Sequence, residues 1–122
     1  MVDTGTGPDT AARTLITELR SLLGAKLVAY LAEAPDTATV HGWVDGTTPP
    51  PDHAILNRLH VALDAARRIS ARDTPAVIQT WFQGRNPALD NQPPAQLLRE
   101  ANLDTVRDTM LAAATEFATH GS

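Results

Sequence analysis

An all-α fold is predicted on three grounds. Apolar residues recur at helical steps of three and four along nearly the whole chain, strand-like alternation is almost absent, and proline and glycine sit at the joints between periodic stretches. The expected organisation is a disordered polar arm over residues 1–8, a four-helix front half over residues 9–72 and a three-helix back half over residues 73–120. With 122 residues, 43% of them apolar, the chain suffices for one ordinary domain or for two small helical units sharing a core.

The first helix is expected from about Asp9 to Leu22, burying Leu15, Ile16, Leu19 and Leu22, with Gly24 as a stop or bend. A second, from about Ala25 to Ala34, presents Leu27, Val28 and Leu31 and is broken by Pro35. Asp36 or Thr37 then caps a third, which turns Val40, Trp43 and Val44 inward and ends at Gly46, where a left-handed residue is wanted. The spacing of Trp43 from Val40 marks it as core. A stiff proline-rich turn follows at residues 47–51.

The fourth helix, about Asp52 to Ala71, is the clearest, because Ile55, Leu59, Ala62, Ala66 and Ile69 repeat at steps of four and three. Arg67, Arg68 and Arg72 cluster at its end, where cations suit a helix C-terminus; phosphate contact is the alternative. Thr74-Pro75 opens a fifth helix carrying Val77, Ile78, Trp81 and Phe82. Residues 84–94 are too rich in turn formers for regular structure. A short helix from about Pro94 to Glu100 carries Leu97 and Leu98, and the last, from about Leu103 to Thr119, aligns Leu103, Val106, Met110, Ala113 and Phe117.

Charge limits the partners. The formal net charge is −4, and residues 1–50 hold three basic groups against six acidic ones. Non-specific DNA binding needs many phosphate contacts, which this chain does not supply, so any DNA binding has to be specific, dimer-dependent or assisted. There is no cysteine, hence no disulfide and no thiolate metal site. Residues 1–9 lack the basic start and apolar run of a signal peptide, and no apolar run approaches the roughly 20 residues of a membrane span; the cytoplasm is the expected location.

Chemistry is not expected. His53 and His60 lie seven apart, too far along a helix to share a metal, and read as solvated. His41 and Asp45 stand four apart and are able to pair, but no nucleophile accompanies them. Gly42, Gly46 and Gly84 are isolated and form no phosphate-cradling loop. The chain is therefore read as a non-enzyme without metal or cofactor, acting by binding.

Two short helices joined by a tight turn, with a further element behind them, give residues 25–63 the layout of a helix-turn-helix. The pattern Thr37, Val40, Trp43, Gly46, Pro49 resembles the second helix of the Xre-type family. Residues near its N-terminus, Thr37, Thr39 and His41, are the expected base-facing groups, with Arg58 on the DNA backbone. They are poorly suited to direct readout, which relies on Arg, Lys, Asn and Gln.

The back half carries the more specific likeness. Thr74-Pro75, Trp81-Phe82, Gly84, Asn86-Pro87, Leu89-Asp90, Pro93-Pro94 and Leu97-Leu98, followed by a final helix, resemble the Xre–MbcA–ParS toxin-binding domain. Together with the helix-turn-helix, the likeness spans about residues 25–120. It implies an N-terminal helix-turn-helix bundle packed with a small C-terminal three-helix toxin-binding unit, and a bacterial antitoxin whose partner is a RES-domain toxin that destroys NAD⁺. It also implies operator DNA as a second partner. A homodimer is expected, since such proteins usually read two half-sites. Arg85, Asn86 and Leu89 on the proline-bounded loop, with Glu116, Phe117 and His120 near the end, are the expected toxin contacts. The alternative is a stand-alone helix-turn-helix regulator whose back half dimerises.

Overall fold

The computed structural model describes residues 8–120, with side chains described for residues 11–119. The polar arm expected over residues 1–8 falls almost wholly outside them. Seven α-helices follow in order: α1 (Pro8–Leu23), α2 (Ala25–Ala32), α3 (Thr37–Asp45), α4 (His53–Ser70), α5 (Pro75–Gln83), α6 (Pro94–Glu100) and α7 (Leu103–His120). No strand occurs among the described residues.

Local chemistry sets the boundaries. Asp36 accepts the Thr39 N–H and Asp52 accepts the Ile55 N–H, so each caps the helix that follows it. Pro75 opens α5, where its missing N–H is no loss. Helix α2 ends two residues before the expected Ala34, because Glu33 takes a left-handed conformation (φ 57°) and Ala34 N–H returns to Ala29 O at 2.9 Å. That is the helix-closing motif glycine usually provides. Glutamate is held there by an ion pair with Arg58.

Helix α3 closes at Gly46, which is left-handed at φ 84°. The chain then folds back so tightly that Gly42 O accepts N–H groups from Gly46, Thr47 and Thr48. A Cβ on Gly42 would lie 2.8 Å from Thr48 Cβ, so only glycine allows this approach.

One hydrophobic core runs through both halves. Ile16, Leu19, Val28, Leu31, Val40, Leu59 and Ile69 from the front meet Ile78, Phe82, Leu98 and Met110 from the back, all essentially buried. Helix α7 lies along α4, α5 packs on α1, and α6 packs on α2. Leu22 is only half-buried, and Leu23, one residue on, takes the inward position expected of it.

The segment expected to be irregular is locally ordered. Pro87–Leu89 forms a 3₁₀ turn, Asn86 Oδ1 accepts Ala88 N–H at 2.9 Å, and Asn86 O accepts from Leu89 and Asn91. An isolated bridge joins Asn86 to Gln92, and Asp90 and Asn91 are both left-handed. The turn formers build one defined loop.

Candidate functional site

The α5–α6 loop lies against α7, and a groove of about 520 Å³ opens between them. Trp81 and Ala113, both nearly buried, form its base, with half-buried Phe117 beside them. Trp81 packs edge-on against Phe82, with ring centroids 5.0 Å apart, and tilts 47° to Phe117 at 6.3 Å. Exposed Arg85 and half-buried Asn86 line the groove from the loop, and exposed Glu116 lines it from α7. The groove thus combines an aromatic centre with charges of both signs at its edge.

Four of the expected toxin contacts, Arg85, Asn86, Glu116 and Phe117, are brought together here from two elements thirty residues apart. Leu89 is not among them. It is 4% exposed and belongs to the core, because the 3₁₀ turn points it inward, so it offers a partner no surface. The His120 side chain lies outside the described residues. Asn86 has a structural duty as well, since its carbonyl oxygen caps the turn that carries Arg85. Trp81 and Ala113 line the groove too; their helical spacing marked them only as core.

The residues expected to meet DNA are more scattered in their roles. His41 is exposed on α3, whereas Thr37 and Thr39 are half-buried and the Thr39 hydroxyl donates to Asp36. Arg58 is turned inward. Its guanidinium donates to Leu31 O at 2.7 Å and to Glu33 at 2.9 Å, with the side chain only 16% exposed. It therefore closes the C-terminus of α2 and is not free for a phosphate. His41 does not pair with Asp45 as its spacing allowed; its Nδ1 lies 2.9 Å from an Arg20 nitrogen of α1.

Two of the arginines clustered at the end of α4 are similarly engaged. Arg67 makes a two-pronged pair with Glu18 at 2.7 and 2.6 Å, and Arg68 donates to Thr115 Oγ1 at 2.9 Å and to Leu111 O. The Arg67 guanidinium holds the Glu18 carboxyl below the usual glutamate range, and the Thr39 N–H and hydroxyl do the same for Asp36. These contacts tie α4 to α1 and α7.

A smaller cavity of about 320 Å³ lies where α2, α5 and α6 meet, lined in part by Lys26, Tyr30 and Gln83. The Arg99 guanidinium stacks 4.6 Å over the Tyr30 ring. Among the described residues no three His, Asp or Glu side chains are grouped as a metal site, and no helix is long and apolar enough to cross a membrane. Compared with models of known protein families, with curated proteins and with solved structures, the chain matches none.

Proposed function

We propose that the chain acts by binding a protein, as the antitoxin of a RES-domain toxin, and that the groove between the α5–α6 loop and α7 is the docking face. One observation carries this: Arg85, Asn86, Glu116 and Phe117 converge on a single concave surface with an aromatic centre. Interfaces draw most of their binding energy from such desolvated aromatic and arginine anchors, while charged rims set register and exclude wrong partners. The loop is pinned by Asn86 and by its own backbone hydrogen bonds, so presenting Arg85 costs little entropy on binding. In this reading the antitoxin neutralises by occlusion, covering the toxin's access to NAD⁺, and needs no chemistry of its own.

Co-expression tests it. The wild-type chain is expected to restore growth and NAD⁺ in cells making a RES-domain toxin encoded beside it. A chain carrying Arg85→Glu with Glu116→Arg is expected to fold normally, as both side chains are exposed, yet fail to rescue. Full rescue by that variant would remove the groove from the account.

A second reading, operator DNA binding by α2 and α3, is favoured by a separate feature. The two helices are eight and nine residues long and join through residues 33–36, with a left-handed residue and an Asp36 cap fixing their angle, and His41 stands exposed on the second. A homodimer would then present two such units to two half-sites. The stand-alone regulator differs from the antitoxin in one outcome: it shifts promoter DNA but does not rescue cells from the toxin.

A further inference from the structure

Helix α3 offers DNA very little by itself. Thr39 is engaged by Asp36, Thr37 is half-buried, and α3 has no lysine or arginine. What the structure adds comes from α1. Arg13 Nε donates to Val44 O at 3.2 Å, and Arg20 lies 2.9 Å from His41 Nδ1. These arginines are seven apart, hence on one face of α1, and they bring two cations to a helix whose own charges are the exposed Asp45 and the capping Asp36 that precedes it.

The Arg20 contact also decides the chemistry of the histidine. A guanidinium holds only donors and stays charged, so Nδ1 of His41 has to be the acceptor. In the neutral ring the single proton then lies on Nε2.

We infer that Arg20 and His41 form one recognition unit for acceptor atoms in the major groove of duplex DNA, with His41 donating through Nε2–H and Arg20 acting as the positioning residue that fixes its tautomer. The inference rests on the DNA-binding reading of α2 and α3. The single donor at Nε2–H suits guanine, whose major-groove edge offers two adjacent acceptors, N7 and O6, while Arg20 stays on the opposite, Nδ1 side of the ring. Arg13 takes the adjoining phosphate, offsetting Asp45.

Two measurements on the full-length chain test the unit. The first is a long-range proton–nitrogen NMR spectrum at mildly alkaline pH. It is expected to show His41 protonated on Nε2 in the wild type, and a mixture of tautomers in Arg20→Ala. The second is selection from short duplexes with a randomised centre, at low and at physiological salt. The wild type is expected to enrich guanine-containing sites, and Arg20→Ala and His41→Ala each to weaken the selected duplex roughly tenfold. Arg13→Ala is expected to weaken all duplexes alike and to flatten the salt dependence. A wild-type His41 protonated on Nδ1 overturns the unit. So does selected binding that Arg20→Ala and His41→Ala leave unchanged, although DNA binding by α3 then stands. If the wild type retains no duplex at low salt, the DNA reading falls together with the unit, and the groove reading is untouched.

Discussion

At the scale of single residues, two positions are held by contacts that no neighbouring residue type could replace. Gly42 lets residues 46–48 close on its carbonyl, and an added methyl meets the Thr48 side chain. Gly42→Ala is expected to cost ~1–3 kcal/mol in urea unfolding, as overpacking generally does. Thr48→Gly, which removes the atoms in the way, should restore part of that loss. Asn86 caps the turn beneath the groove, and Asn86→Ala is expected to cost about 0.5–2 kcal/mol, the usual range for a lost cap. The groove should then lose affinity as well as the fold losing stability. Arg58 shows why residue roles are the least legible part of a sequence. Its place on an exposed-looking face suggested a phosphate contact, but its partners, Leu31 and Glu33, lie twenty-seven and twenty-five residues away, where no local pattern reaches.

At the scale of elements, the helices themselves are legible because each one carries its own periodicity, and α3 and α4 also carry their own caps. The starts of α3 and α4 follow from Asp36 and Asp52, and the end of α3 from Gly46. The loop after α5 is not legible in the same way. Its order comes from the Asn86 carbonyl groups and from Asp90 and Asn91 in left-handed conformations, which composition reports only as turn residues. Pairing between helices is likewise long-range, as in Glu18 with Arg67 across α1 and α4. The Glu18 carboxyl is held below its ordinary range by Arg67, so the pair stabilises the folded chain above the unfolded glutamate pKa of about 4.3 and loses that effect as pH falls through the lower folded value. Glu18→Gln should therefore lower stability slightly at neutral pH, with the difference from wild type vanishing in strong acid. Both side chains are largely solvated, and salt should shrink the difference too. A gap between the two proteins that persists at the acid end would contradict this account.

At the scale of the whole molecule, the composition patterns suggested two halves meeting near residue 73, and the structure shows one hydrophobic cluster shared between them. Trp43 reports on the front and Trp81 on the back, both nearly buried. Trp43→Phe and Trp81→Phe, each leaving a single tryptophan, are expected to give fluorescence unfolding curves that coincide with the circular-dichroism curve of the same variant. A fluorescence transition separated from the loss of helix would mean that the halves unfold independently. Sharing a core matters for the proposed docking, because α7 is held along α4 by Arg68 and by packing, which anchors the α7 side of the groove. Met110, fully buried on α7, is the probe of that anchoring, and Met110→Ala is expected to cost ~2–5 kcal/mol.

The central claim, that a protein partner docks in the groove between the α5–α6 loop and α7, is tested most directly by calorimetric titration against a catalytically inactive RES-domain toxin. The wild-type chain is predicted to bind it, and Arg85→Glu to weaken binding at least tenfold, a loss of about 1.4 kcal/mol, with the circular-dichroism melt unchanged. Equal affinity for the wild type and the Arg85→Glu chain, or no binding by either, would contradict it.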